Sequence, residues 1–147
     1  MKIKEPEPKI GKTPDGKQMH FSVGAVIERD GKYLLIDRAI FPYGFAGVAG
    51  HVDEGENEKQ ALIREVKEEI NLDVEKAELL LEEELDWNKC SRGITSHYWY
   101  VYHCSVSGES KRNERETKSA GWYKKEEIKN LKLEPVWEYW FKKLEII

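Results

Sequence analysis

Residues 50 to 72, Gly-His-Val-Asp-Glu-Gly-Glu-Asn-Glu-Lys-Gln-Ala-Leu-Ile-Arg-Glu-Val-Lys-Glu-Glu-Ile-Asn-Leu, constrain this chain more than any other segment. They place five ionisable groups, Glu56, Arg64, Glu65, Glu68 and Glu69, at spacings that folding alone does not require. On a helix, Glu65, Glu68 and Glu69 stand at i, i+3 and i+4 and so crowd one face. Like charges at those offsets each cost a few tenths of a kcal/mol in an isolated helix. Carboxylates crowded behind a glycine loop suit hard oxygen ligation of a divalent cation.

The helix follows from local rules. Asn57 is a good N-cap, and Gln60 at N3 completes a capping-box pattern. Leu62, Ile63, Val66 and Ile70 fall within about 100° on a helical wheel and predict a core-facing stripe. Arg64, Glu65, Glu68 and Glu69 spread over the neighbouring arc, so one face packs and the adjoining face presents acid. Asn71 ends the helix, because Asn tolerates the left-handed C′ position almost as well as Gly.

The order Gly, five residues, Glu, seven residues, Arg-Glu-apolar-any-Glu-Glu-any-Gly-apolar resembles the signature box of the Nudix (MutT-like) hydrolases. The chain matches it at Gly50, Glu56, Arg64, Glu65, Val66, Glu68, Glu69 and Leu72. It departs at Asn71, which replaces Gly, and at Val48-Ala49-Gly50, where the family commonly has Pro-Gly-Gly. The resemblance implies an α+β fold, an α/β/α sandwich with a mixed sheet between helices. It also implies Mg²⁺ or Mn²⁺ held by Glu65, Glu68, Glu69 and the backbone carbonyl of Ala49. Glu56 and Arg64 are then an orienting pair, since a planar guanidinium fixes a carboxylate's pose. Many members add a glutamate from a loop before a late Trp-containing strand. Glu116, ahead of Ala120-Gly-Trp-Tyr123, fits that role better than Glu114.

The implied activity is hydrolysis of a diphosphate linkage, in a nucleoside triphosphate or related nucleotide, by metal-activated water, with Glu65 or Glu116 as the base. Two other readings compete with it. A non-catalytic ligand-binding or sensor domain of the same fold typically loses the box glutamates, all of which stand here. An isopentenyl diphosphate isomerase-like enzyme needs a Cys ahead of the box, and this chain has none before residue 90.

At 147 residues with 35% charged and 39% hydrophobic residues, the chain has the length and composition of a single globular domain, 1–147. A net charge of −4 offers no general basic surface for polymeric nucleic acid, and phosphorylated small molecules remain the expected partners. The N-terminus has no apolar leader and no run is long enough to span a bilayer, so no membrane partner and a cytoplasmic location are expected. A homodimer stays open. Cys90 and Cys104 stand far from any Cys/His cluster along the chain, so neither reads as a zinc ligand and free thiols are expected.

Elsewhere, residues 1–19 read as a loose lead-in or short hairpin around Pro14-Asp-Gly16. Strands are expected at 21–27, 32–37, 74–84, 97–106 and 120–123, and helices at 57–70, 125–131 and 134–144. The stretches 38–49, 86–96 and 109–118 read as loops. His51, beside Gly50, is a candidate phosphate contact, and Phe45 and Tyr43 are candidates to stack a planar group. Val136, Trp137, Trp140, Phe141 and Leu144 mark the buried side of the closing helix.

Overall fold

The computed structural model describes residues 7–147, and residues 1–6 of the expected lead-in lie outside them. Eight strands form one hydrogen-bonded network. Its axis is β2 (Gln18–Arg29), which turns through Asp30 and Gly31 into β3 (Lys32–Arg38). Both turn residues have positive φ, 54° and 73°, the mirror-image turn that matches strand twist. Ahead of it, β1 (Ile10–Lys12) pairs with Gln18–His20 across the Pro14-Asp-Gly16 turn, so the expected hairpin is present.

The stretch 38–49 is not wholly loop. It contains β4 (Gly44–Ala46), paired with β3, and the start of β5 (Val48–His51), paired with β2. Three- and four-residue strands leave too little alternation for periodicity to show. After the box helix α1 (Glu58–Ile70) come β6 (Asp73–Leu85) and β7 (Ser96–Ser107). β7 runs parallel to β2 from Met19↔Ser96 to Ile27↔Cys104 and antiparallel to β6. β6 is an outer strand whose glutamates and lysine discourage pairing with another chain. β8 (Thr117–Tyr123) pairs with β3, beginning three residues earlier than the sequence suggests. The chain closes with the short helix α2 (Lys125–Ile128) and α3 (Pro135–Lys143).

Helices cover both faces of the sheet. Trp137 of α3 lies 3.1 Å from where a Cβ on Gly24 would stand. The next residue back, Val23, pairs with Gly50 on the opposite face, and there Glu65 of α1 covers the strand. The core joins Val23, Ala25 and Ile27 of β2 with Leu62, Val66 and Ile70 of α1 and with Trp137, Trp140 and Phe141 of α3. This is the expected α+β sandwich. No helix among the described residues is long and apolar enough to cross a membrane.

One residue of the predicted stripe is misplaced. Ile63 is 50% exposed, whereas Glu69 is only 9% exposed and sits within the buried face. On the wheel Glu69 lies about 20° from Leu62 and Ile63 about 100° away, so the buried arc is rotated toward the acidic side. Docking against β5 sets that rotation, and hydrophobicity alone cannot reveal it.

Candidate active site

The caps of α1 form as the sequence predicts. Asn57 Oδ1 accepts from the Gln60 backbone N–H at 2.8 Å, and Gln60 Oε1 accepts from the Asn57 N–H at 2.9 Å. At the other end Asn71 takes φ 60° and ψ 28°, and its N–H donates to the Lys67 carbonyl. The helix therefore starts and stops where its carboxylates face β5.

Arg64 organises the first part of the site. Its Nε donates to Glu56 Oε2 at 2.8 Å and Nη2 to Glu56 Oε1 at 3.0 Å, a two-point clamp. The same guanidinium reaches the His51 carbonyl at 3.0 Å, Glu65 Oε1 at 2.8 Å and Glu68 Oε2 at 3.2 Å. Asp53, which the sequence reading passed over, adds an ion pair at 3.2 Å. Its only sequence signal is its place in the box loop, three residues before Glu56. Glu56 also accepts the Asp53 backbone N–H, so the loop and helix are tied at one point. The hydrogen bond from Arg64 holds Glu56 below the usual carboxylate range, and in return Arg64 is held more firmly protonated.

The second part is compensated only in part. Glu65 lies over Gly50 so closely that a Cβ there would be 2.0 Å from its carboxyl carbon, which explains the glycine. Burial pushes Glu65 up to about 7, against the pull of Arg64. Glu69 is pushed up to about 9, first by burial and then by a hydrogen bond with Glu116. Glu116, at the end of the 109–118 loop, thus meets the box helix from across the cavity. Its backbone carbonyl accepts from Ala39, and Asn113 of the same loop donates to Glu69 O, which fastens the loop to α1. Glu68 is different. Its side chain is 58% exposed and reaches the site only through Arg64.

These groups border a cavity of about 330 Å³. Ala49, Gly50, Glu65, Glu69 and Glu116 line one part, and Arg38 and Arg92 supply positive charge. His51 also lines it. Phe45 and Tyr43 do not stand among the lining residues. Phe45 packs edge-on against Tyr123, and Tyr43 is 60% exposed beside Phe41 and Lys118. The segment ahead of β4 lines the cavity through Ile40 and Pro42 instead.

Cys90 is a free thiol, as expected, but it does not stand far from a Cys/His cluster. Cys90 lies with His20, His51 and His97, and their donor atoms are all within 4.8 Å of one another. Sequence distance hid this cluster. It forms because parallel pairing sets His20 beside His97, and antiparallel pairing sets His51 beside Ser22 on the same face. Nothing in local periodicity reports that register. Cys104 is also a free thiol, fully buried, and burial pushes it up to about 12.

A family model described as the NUDIX domain matches residues 18–144, and the chain belongs to the Nudix family. The CTP pyrophosphohydrolase of Escherichia coli (strain K12) is 36% identical over 84 residues, covering 54% of this chain but only 59% of that protein. The nucleoside triphosphatase NudI of Escherichia coli O139:H28 (strain E24377A / ETEC) is 32% identical over 119 residues, covering 70% of this chain and 80% of that one. The crystal structure of a MutT NUDIX hydrolase from Burkholderia pseudomallei is similar at a TM-score of 0.66 and 30% identity, covering 75% of this chain and 86% of that chain.

Proposed function

We propose that this chain hydrolyses a phosphoanhydride bond in a nucleoside triphosphate or related nucleotide, with a divalent cation as cofactor. The observation that carries this reading is the meeting of Glu65, Glu69 and Glu116 at one cavity, with two of those carboxyls pushed far above their ordinary range. Buried carboxylates are stable as anions only beside compensating positive charge. Arg64 supplies it for Glu56 and partly for Glu65, and Glu69 has only the weaker pull of Arg38. A hard cation fits an all-oxygen donor set of this kind.

Glu65, Glu68, Glu69 and the Ala49 carbonyl would hold Mg²⁺ or Mn²⁺, which when bound neutralises phosphate charge and makes a water more acidic. Arg64 keeps Glu65 and Glu68 in pose while remaining outside the cavity lining. Glu116 takes the proton of the attacking water, and Glu65 is the second choice for that role. Arg38 and Arg92 orient the phosphate chain. The relatives named as a CTP pyrophosphohydrolase and a nucleoside triphosphatase support a nucleotide substrate.

The test is phosphate and pyrophosphate release from a panel of nucleoside triphosphates, dinucleoside polyphosphates and nucleotide sugars, with Mg²⁺ and with chelator. Turnover of at least one nucleotide only in the presence of the cation is expected. Folded protein that turns over no phosphoanhydride in either Mg²⁺ or Mn²⁺ would reject the enzymatic reading in favour of a ligand-binding domain.

A further inference from the structure

We propose that His20, His51, His97 and Cys90 form a tetrahedral zinc site, with a donor set distinct from the α1 carboxylates that border the same cavity. The four side chains come from β2, β5, β7 and the 86–96 loop. Their donor atoms lie within 4.8 Å of one another. The longest of these separations is about 1.3–1.5 Å beyond the edges of a tetrahedron with Zn–N near 2.0 Å and Zn–S near 2.3 Å, a gap that side-chain rotations close. His20 and His51 meet edge to face at 4.7 Å, and His51 and His97 stack with their planes 8° apart.

A second observation points to a ligand. His97 is 1% exposed and His20 is nearly as buried. Among the described residues, Nδ1 of His20 has no hydrogen-bond partner, and the His97 ring has at most a weak contact with the Thr95 backbone, which leaves at least one of its nitrogens unpaired. Buried polar atoms left without partners cost free energy, so polar side chains in a core are ordinarily satisfied. A shared metal ion takes one nitrogen from each ring, and so would give the buried His97 imidazole a partner beside the other two rings and the thiol.

The donor chemistry selects the ion. Three neutral imidazoles and one thiolate are a borderline-soft set that suits zinc and not Mg²⁺. Binding forms one Zn–S and three Zn–N bonds and releases the Cys90 thiol proton to solvent. His51, Cys90 and His97 line the same cavity as Glu65, Glu69 and Glu116, but the two donor sets leave β5 on opposite sides. Gly50 faces Glu65, and the next residue, His51, faces the other side of β5. All four donors are protein groups, as in structural zinc sites that keep no open position.

The consequence is mechanical. Cys90 opens a turn closed by Gly93 N–H to Cys90 O at 2.9 Å and by Cys90 N–H to Ile94 O at 3.0 Å. Asn88, Lys89, Ser91 and Arg92 around that turn line the cavity. Zinc therefore pins to the sheet the loop that walls the cavity. This inference does not depend on the chain being a hydrolase.

The test is elemental analysis of the full chain purified without chelator, followed by cobalt substitution. About one zinc per chain, retained against excess Mg²⁺, is expected, with a thiolate-to-cobalt charge-transfer band and tetrahedral d–d bands in the cobalt form. Cys90→Ser, in a partly exposed loop, should fold and lose the charge-transfer band. His97→Ala should lose stoichiometric metal, and Glu69→Gln should keep it. A zinc chelator should lower the melting temperature of the parent by several degrees and leave Cys90→Ser unmoved. Folded parent protein without zinc and without the cobalt spectrum would overturn the proposal. So would an unchanged charge-transfer band in Cys90→Ser, or loss of zinc in folded Glu69→Gln.

Discussion

The acidic wall of α1 and the imidazole corner flank β5 on opposite faces, and they are built in opposite ways. Most of the wall comes from one run, Glu56 to Glu69, whose spacing is set by a helix. The corner draws on residues 20, 51, 90 and 97, brought together by strand register. Among the described residues, the imidazole and thiol donors already converge to within 4.8 Å, whereas Glu65 turns its carboxylate to Arg64. The difference is electrostatic. Neutral imidazoles approach one another without repulsion, while carboxylates need a cation or a proton between them. One region is assembled in advance. The other is held by an arginine.

The largest effect should come from the wall. Glu69→Gln, and likewise Glu65→Gln, should lower kcat with Mg²⁺ and the preferred nucleotide by about 10²-fold or more, the scale of losing a metal ligand or base. Normal thermal melting in both variants is part of the expectation. Unchanged kcat at saturating Mg²⁺ would show that the crowded carboxylates have no catalytic part.

Glu116 sharpens the comparison, because it joins the wall from a distant loop as Cys90 joins the corner. Glu116→Gln should lower kcat by about 10²-fold with little change in melting. Glu114→Gln, a neighbour two residues away, should be nearly neutral. Small and equal losses from both would move the proton-accepting role to Glu65.

Arg64→Lys tests how the wall is held together. Lysine keeps the charge but cannot grip Glu56 at two points while reaching Asp53, Glu65 and the His51 carbonyl. A loss of about 2 kcal/mol in chemical denaturation is expected, less than for a fully buried pair because the site is partly hydrated. A denaturation midpoint like the parent's would mean that the carboxylates need no guanidinium.

The smallest effect is at the helix end. Asn71→Gly should be neutral or slightly stabilising, since the position already has φ 60°. Asn71→Val should cost about 1 kcal/mol or more, because a β-branched residue resists the left-handed region. Equal melting of the two variants would break the claim that local rules alone position the acidic wall.

What could be read without the fold follows from short range. The caps of α1, the Asp30-Gly31 hairpin turn and the buried side of α3 depend on neighbours within about two helical turns, where periodicity and capping act. The Glu56–Arg64 pair and Glu116 were legible only through family likeness, and the fold then formed the pair and placed Glu116 against Glu69.

Tertiary structure decided the rest. It rotated α1 so that Glu69 is buried and Ile63 is not, because β5 sets the angle at which the helix docks. It drew β4 and β5 out of a stretch too short to show alternation. It also brought Cys90 to three histidines, since one residue of register slip between β2 and β7 would turn His97 to the other face. Sequence by itself specifies side chains along an element. Which elements lie side by side, and in what register, is settled only when the whole core packs.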